Sequence, residues 1–334
     1  MEYRILKEVL MPELFIVLGI LLFVAASVLI LSYICFYRTF YASKSGRTKE
    51  SNSVTAPVVA NFMPFREQIG AWARQTETMP HKDVEIVSFD GLCLRGTYYE
   101  YAKGAPIEIM FHGYRGNAHR DLSGGVIRAA KHKRSTLIVN HRASGESEGR
   151  VVTFGINESR DCRQWIDYVI DNIDSDAKII ITGISMGAAT VMITAGREDL
   201  PKNVVGVIAD CGYSSPREII KKTIREMNLP PNLLYPFVKL GGKLFGKFDI
   251  DEISPEEAMK KCRVPVIFIH GEKDDFVPYE MSVKNYEACA SEKKKLVGIS
   301  EAGHGVAYPT DPEKYLLELE DFFKDVLGES NEKE

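Results

Sequence analysis

The chain has 334 residues, of which 45% are hydrophobic, so it can bury a large core in one or two domains. Its formal net charge of −4 shows no basic footprint of the kind that nucleic-acid-binding proteins carry. The six cysteines are widely scattered, which favours buried free thiols over a disulfide framework, and no Cys/His cluster has the spacing of a zinc site. We therefore expect no nucleic-acid partner, no metal and no cofactor.

An uncharged segment near the N-terminus runs from Leu14 to Tyr37, bounded by Glu13 and Arg38. At 1.5 Å per residue it is long enough to span a hydrocarbon core of ~30 Å. The apolar part of a cleaved signal peptide is shorter, roughly 7–15 residues, and is followed by a small-residue cleavage site that is missing here. The segment therefore predicts an uncleaved single-pass anchor in the cell membrane. The basic residues on its two sides nearly balance, so the positive-inside rule leaves the membrane face open.

The rest of the chain divides around this anchor. We expect a short tail over 1–13, a polar and basic juxtamembrane linker over 38–60, a main globular domain over 61–328 and a polar tail over 329–334. The predicted strands are 84–88, 93–101, 107–111, 135–140, 178–182, 204–210, 264–270 and 295–299. The predicted helices are 62–78, 119–132, 157–172, 185–197, 280–290 and 311–327. This alternation predicts an α/β fold with a mostly parallel sheet, helices on both faces and an antiparallel hairpin at one edge.

The most informative motif is Gly183-Ile184-Ser185-Met186-Gly187, which follows a β-branched strand and precedes a run of small helical residues. A serine at such a turn is held in a strained conformation, and the two glycines let strand and helix pass close together. We expect an exposed hydroxyl above the sheet and predict that Ser185 is a nucleophile. The N–H of Met186 lies at a helix N-terminus, where it can donate to an oxyanion.

A serine nucleophile needs a base, and the base needs an orienting carboxylate. In open α/β sheets such groups follow the carboxyl ends of strands. His304, on a glycine-flanked loop between the last strand and the last helix, is the predicted base. Asp274 is the predicted acid, with its neighbour Asp275 as a rival and Asp210 as an outside candidate. The second oxyanion donor is predicted to be the N–H of Tyr114, on the loop after 107–111.

Five segments in this order resemble the α/β-hydrolase superfamily. They are His112-Gly113, Asn140-x-Arg142-x-x-Gly145-x-Ser147, Gly183-x-Ser185-x-Gly187, His270-Gly271-x-x-Asp274-x-x-Val277-Pro278 and Gly303-His304-Gly305. Within the superfamily the chain resembles bacterial membrane-anchored serine esterases and serine aminopeptidase-like hydrolases. Asn140 stands where that family commonly has Asp. The resemblance implies an α/β-hydrolase fold with a helical cap inserted at about 213–262, and it makes Ser147 a structural serine.

Several functions remain open on these residues. The first is a serine esterase or lipase-like hydrolase that cleaves small-molecule acyl esters, lipophilic ones among the candidates, through an acyl-enzyme. A peptidase or amidase with the same triad and an acyltransferase are the alternatives, and a membrane scaffold without activity is the least favoured. The predicted cap is basic and also has an apolar run over 229–237, which suggests an acyl site whose rim rests on anionic lipid; solvated lysines on an ordinary cap are the alternative.

Overall fold

A computed structural model describes residues 2–43 and 61–328, with the side chains of the first helix described from Glu13 onward. The predicted linker from residue 44 to 60 and the predicted tail over 329–334 lie outside these ranges. The predicted tail over 1–13 and the predicted anchor both fall within one long helix, α1 (Glu2–Thr39).

The centre of the fold is an eight-stranded sheet in the order β1-β2-β4-β3-β5-β6-β7-β8. Its strands are β1 (Lys82–Val87), β2 (Cys93–Tyr99), β3 (Ile107–Phe111), β4 (Ser135–Val139), β5 (Ile179–Ile184), β6 (Val204–Asp210), β7 (Val266–Gly271) and β8 (Lys294–Ile299). The strands from β4 to β8 in this order are mutually parallel, whereas β1 and β2 pair antiparallel at one edge. The predicted mostly parallel sheet with an antiparallel edge is therefore confirmed.

Helices cover both faces of this sheet. The helices after α1 are α2 (Arg66–Thr78), α3 (Ala118–Lys131), α4 (Ile156–Asn172), α5 (Met186–Ala195), α6 (Pro216–Glu226), α7 (Pro231–Gly241), α8 (Pro255–Met259), α9 (Tyr279–Ala288), α10 (Ala307–Thr310) and α11 (Pro312–Leu327). Side chains alternate along each strand, so neighbours face opposite layers. On β5, Ile179 and Ile181 pack with α4 and α5, whereas Ile180 packs with α11. This architecture is the α/β-hydrolase fold.

One charged residue interrupts the apolar run of β3. Glu108 is fully buried and forms an ion pair with Arg128 of α3, which is also buried. The hydroxyl of Thr182 on the neighbouring strand donates to Glu108 at 2.9 Å. A buried carboxylate needs such partners because its desolvation is otherwise very unfavourable. The pair therefore stabilises the contact between the sheet and α3 only while both charges are present.

The chain forms two compact units. The first contains α1 up to Tyr41 and the insertion Ile220–Asp249, which comprises most of α6, all of α7 and a π-helical turn over Gly242–Gly246. The second contains the described residues of 42–219 and 250–328, and therefore the whole sheet. The insertion lies between β6 and β7 along the chain, within the region where a cap is predicted.

Candidate active site

The turn after β5 has the strained geometry that its sequence predicts. Ser185 has φ = +56° and ψ = −114°, and α5 begins directly after it. Gly183 and Gly187 are required by close packing: a Cβ on Gly183 would lie 2.1 Å from Gly187, and one on Gly187 would lie 2.1 Å from the carbonyl oxygen of Phe111. Positive φ at a serine is unfavourable, so this turn persists only because the packed strand and helix impose it.

Three side chains from different loops meet at this turn. The hydroxyl of Ser185 donates to Nε2 of His304 at 2.9 Å, and Nδ1–H of His304 donates to Oδ2 of Asp274 at 2.7 Å. All three residues are buried, with Ser185 only 7% exposed. The expectation of an exposed hydroxyl is therefore wrong, because the His304 loop and the loop after β3 cover the serine. Gly113 lies so close that a Cβ there would be 3.5 Å from that of Ser185.

The environment of Asp274 favours its ionised form. Its Oδ1 accepts hydrogen bonds from the backbone N–H groups of Phe276 and Val277, at 3.0 and 2.8 Å. Burial by itself would raise the pKa of Asp274, but its hydrogen bonds with His270 and His304 outweigh burial and lower the pKa to about 2. The carboxylate is therefore negative at neutral pH and can stabilise a positive charge on His304.

The two alternative acids, Asp210 and Asp275, have surroundings that differ from those of Asp274. Asp210 is buried at the end of β6, where Tyr315 of α11 donates to its Oδ2 at 2.9 Å and its carbonyl oxygen accepts the N–H of Ser185. Burial raises the pKa of Asp210, which is the opposite direction from Asp274. The side chain of Asp275 is exposed. Of the three carboxylates, Asp274 is the one hydrogen-bonded to His304.

The loop after β3 contains Tyr114 and passes beside Ser185. Its conformation is held by two buried histidines: Nδ1–H of His112 donates to the carbonyl of Gly113 at 2.8 Å, and His141 donates through Nε2 to the carbonyl of His112 at 3.0 Å. Burial lowers the pKa of both imidazoles, so both are neutral at neutral pH. This arrangement keeps the loop beside Ser185, which Gly113 approaches.

Aromatic side chains lie on the loops around the site, and the sequence analysis identified Tyr114 but not the others. The ring of Tyr114 packs on that of Phe154, with 5.1 Å between the ring centroids. The ring of Phe154 in turn lies 6.3 Å from that of Tyr213, centroid to centroid. Phe276 contacts the imidazole of His304 edge-on at 5.0 Å. Phe62, just before α2, lies against Gly305. The last contact joins residues far apart along the chain, so local sequence patterns contain no signal for it.

His270, in β7, is a further residue at the site, and the sequence analysis names it only within a segment that resembles the α/β-hydrolases. Its Nε2–H lies 3.1 Å from Oδ2 of Asp274 and 2.8 Å from the carbonyl of Val277, while Nδ1 accepts from the hydroxyl of Ser282 at 2.6 Å. His270 therefore helps His304 and the two backbone N–H groups to orient the carboxylate. The four-residue spacing between His270, in β7, and Asp274, in the loop after it, was the available signal.

Cys211 is a further ionisable group near the site. Within the described residues, Cys211, Asp274 and His304 have potential metal-ligand atoms within 4.8 Å of one another. However, Asp274 and His304 are hydrogen-bonded to each other, and burial raises the pKa of the Cys211 thiol. A metal ligand would have to be the thiolate, so the chemistry of this donor set fits a hydrogen-bonded triad better than a metal centre.

Comparison with known proteins agrees with this geometry. Residues 152–330, more than half of the chain, match the model of the prolyl oligopeptidase family. The chain belongs to this family. The match includes Ser185, Asp274 and His304, whereas β1 to β4 and α1 precede it.

Two named relatives match the chain at 30% sequence identity or below. An uncharacterised Bacillus subtilis protein, YqkD, is 30% identical over 200 residues, which are 59% of this chain and 64% of that protein. An uncharacterised membrane protein of Saccharomyces cerevisiae, YNL320W, is 28% identical over 166 residues, or 48% of this chain and 51% of the yeast protein. The chain thus spans less than two-thirds of the length of either relative.

Among solved structures, the Pyrococcus furiosus esterase Pf2001 is similar in fold and sequence. It has a TM-score of 0.61 and 26% sequence identity, and the match covers 75% of this chain and 95% of the esterase. The chain thus shares the fold and family of esterase- and peptidase-type hydrolases, and its described residues include one apolar N-terminal helix that is long enough to span a membrane.

Proposed function

We propose that the protein hydrolyses carboxylic esters through an acyl-enzyme, with Ser185, His304 and Asp274 as catalytic residues. The observation that carries the proposal is the continuous hydrogen-bond chain from the Ser185 hydroxyl through His304 to Asp274, at 2.9 and 2.7 Å. A serine hydroxyl becomes a useful nucleophile only when a base in this position removes its proton. The lowered pKa of Asp274 supports the same role, because a charged carboxylate stabilises the imidazolium that forms.

The reaction follows from these positions. Oγ of Ser185 attacks the ester carbonyl while its proton moves to Nε2 of His304, and the carbonyl oxygen becomes an oxyanion. The N–H groups of Met186 and Tyr114 donate to that oxyanion, each contributing ~3 kcal/mol in the transition state. His304 then protonates the departing alkoxide, which leaves as an alcohol. A water molecule, deprotonated by His304, attacks the acyl-enzyme and releases the acid and the free Ser185 hydroxyl.

The ester preference has its support in the similarity to the Pyrococcus esterase, which covers 95% of that enzyme. The aromatic surroundings of the site, Tyr114, Phe154 and Phe276, suit an apolar acyl group. Peptide hydrolysis is the second candidate, and the family match is the observation that favours it. Amide cleavage would use the same triad but requires His304 to protonate a poorer leaving group.

The test is turnover by the full chain in detergent micelles on p-nitrophenyl esters with short to long acyl chains, beside aminoacyl anilides. We expect ester turnover that Ser185→Ala abolishes and that Ser175→Ala, an exposed surface serine, leaves unchanged. A fluorophosphonate should label the parent chain and not Ser185→Ala. Anilide turnover without ester turnover would replace the esterase with the peptidase, and absence of both turnover and label would remove Ser185 from any catalytic role.

We also propose that α1 anchors the protein in the cell membrane as a single span. The segment Glu13–Thr39 is apolar and, at 27 residues, is longer than the ~20 that a bilayer requires. The similarity to a yeast membrane protein supports the same interpretation. Intact mass of the membrane-extracted protein tests it: a chain that retains residues 13–39 is expected, and a mature protein that begins after them would show that α1 is a signal sequence.

A further inference from the structure

The insertion packs against the C-terminal part of α1 through small and aromatic residues. Gly241, at the end of α7, lies so close to α1 that a Cβ there would be 2.3 Å from the carbonyl oxygen of Ser32 and 3.0 Å from Cβ of Phe36. Next to this contact, the rings of Phe40 and Phe248 meet edge-to-face at 5.0 Å. Small residues at such positions let two helices approach closely, as they do between helices in membranes.

The position of this contact along α1 defines how deep in the membrane the insertion meets the anchor. Residues 14–27 are exposed on every side of the helix, whereas a buried stripe of Ser32, Phe36 and Phe40 follows. A hydrocarbon core of ~30 Å requires about 20 residues, so a span that begins at Leu14 ends near Tyr33. The insertion therefore meets α1 where acyl chains give way to headgroups. The exposed rings of Tyr33 and Tyr37 fit this depth, since tyrosine is enriched at the membrane–water interface.

The insertion also has large apolar side chains on its surface. Met227, Leu229, Leu233, Leu244 and Phe245 are each between 37% and 63% exposed. Phe245 is part of the α1 contact, because its ring meets that of Tyr33 edge-to-face at 5.2 Å. The apolar surface of the insertion is thus continuous with the apolar surface of the anchor.

The charge of the insertion is opposite to that of the chain as a whole. Over 220–249 there are six basic residues and two acidic residues, an excess of four positive charges in a chain whose net charge is −4. The basic residues are Lys221, Lys222, Arg225, Lys239, Lys243 and Lys247. Apolar side chains mixed with Lys and Arg are typical of segments that lie in the interface of an anionic membrane.

We propose that the insertion Ile220–Asp249 is a membrane-interface element that lies in the headgroup region of an anionic phospholipid bilayer, beside the anchor on which it packs. The proposal rests on the anchor proposed above and extends it from one helix to a unit of two segments. Leu233 and Leu244 enter the acyl boundary, while Arg225 and Lys247 bind lipid phosphates. Lys222, Lys239 and Lys243 are ion-paired within the insertion, with Glu226 and Asp249. Since a flat bilayer supplies both an apolar layer and a negative surface, it fits this combination better than a second copy of a chain with a net negative charge.

The test is quenching of tryptophan fluorescence by lipids that have bromine near the headgroup end of the acyl chain. The full chain is reconstituted in vesicles as Leu233→Trp and as Leu244→Trp, with the parent chain and its Trp72 and Trp165 as background. We expect the added emission to fall to about half, as for a side chain ~5–10 Å into the interface. Leu317→Trp, which is similarly exposed on α11, is the matched control and is expected to show no quenching.

A further variant separates this proposal from the anchor. Leu21→Trp, in the exposed part of α1, is expected to be quenched by lipids brominated deep in the acyl chain. Quenching of Leu21→Trp without quenching at Leu233 and Leu244 would overturn the interface element and leave the anchor intact. Added emission that is blue-shifted yet insensitive to brominated lipid would mean that protein, such as a second copy, covers the patch, and would overturn the proposal as well. Absence of quenching at Leu21 would overturn the anchor itself and, with it, this proposal.

The role of the basic residues is tested in vesicles that contain equal amounts of zwitterionic and anionic lipid. In one preparation the zwitterionic lipid is brominated, and in the other the anionic lipid is brominated. We expect stronger quenching of Leu244→Trp when the anionic lipid is brominated, with a local enrichment of roughly fivefold for each basic side chain at the surface. Arg225→Gln combined with Lys247→Gln should remove most of this difference. Lys103→Gln combined with Lys260→Gln, in the other unit, is the control. Equal quenching by both lipids in the parent would overturn the preference for anionic lipid.

Discussion

His270 and Asp274 are hydrogen-bonded at 3.1 Å, through the same carboxylate oxygen that accepts the proton of His304. The acid of the proposed triad is thus held between two imidazoles, with two backbone N–H groups on its other oxygen. This arrangement leaves Asp274 little freedom to rotate. It also predicts how the activity depends on each of these groups.

Replacing Asp274 with Asn should lower kcat on p-nitrophenyl acetate by roughly 10⁴-fold, because the amide no longer orients His304 or stabilises its positive form. Asp275→Asn changes an exposed neighbour and should leave kcat within about twofold of the parent, a difference below ~0.5 kcal/mol. Asp210→Asn is the decisive comparison. If its kcat fell as far as that of Asp274→Asn, Asp210 would have to be assigned as the acid.

His270→Gln should have a smaller effect on the same reaction. The variant removes one donor from Asp274 and leaves the donors from His304, Phe276 and Val277 in place. Loss of one such hydrogen bond is worth ~1.4 kcal/mol, so we expect kcat to fall about tenfold. KM should stay close to the parent value, because His270 acts through Asp274 and has no proposed contact with substrate. A raised KM with unchanged kcat would contradict this positioning role.

Glu108→Gln should lower the free energy of unfolding by about 3–5 kcal/mol, since it leaves Arg128 charged and buried without its partner. Urea denaturation of the full chain in detergent measures the change. The double variant Glu108→Leu with Arg128→Met should recover part of the loss, because it removes both charges of this pair but also takes Glu108 away from buried Arg134, which lies 3.8 Å from it. If the single variant were as stable as the parent, the buried pair would not be the interaction that stabilises α3 on the sheet.

The two buried histidines of the loop after β3 predict a pH dependence of stability. Burial lowers the pKa of His141 well below 6.5 in the folded chain, so the unfolded chain binds more protons below pH 6.5. Stability should therefore fall as the pH drops from about 6.5 towards the folded pKa. Glutamine does not titrate, so the free energy of unfolding of His141→Gln should fall less steeply as the pH drops. The slopes of the parent and the variant should differ by up to ~1.4 kcal/mol per pH unit.

Comparison with His81→Gln, on an exposed turn, provides the control for this effect. Both variants retain Asp161, whose pKa burial raises to about 6 and whose contribution to the pH dependence has the opposite sign. The difference between the two variants therefore isolates His141. Parallel pH profiles for the two would show that protonation of His141 does not oppose folding.

Most of the fold could be predicted because it depends on local patterns. The β-branched run before Ser185 and the small residues after it define a strand, a tight turn and a helix within one short segment, and these occur as β5 and α5. Gly183 and Gly187 could be assigned for the same reason, since the turn requires residues without a side chain. The alternation of strands and helices likewise implied the parallel sheet.

The contacts around the proposed site depend on loops that are distant in the chain. Ser185 and His304 are 119 residues apart, and only the paths of two loops bring their side chains to 2.9 Å. The sequence analysis ranked Asp274 above Asp210 from its place after β7, but the hydrogen bond to His304 is a tertiary contact. The burial of Ser185 was predicted wrongly, because it results from loops after β3 and β8 that close over the turn.

The amino-acid sequence by itself determined the order of strands and helices, the strained serine turn and the apolar segment at the N-terminus, since periodicity, glycine positions and hydropathy act over a few residues. Only the tertiary structure decided that His304 meets Ser185 and Asp274 and that the insertion packs on α1 at Gly241 and Ser32. Both are contacts between segments far apart in sequence. Their geometry follows from how the whole chain packs, which no local pattern encodes.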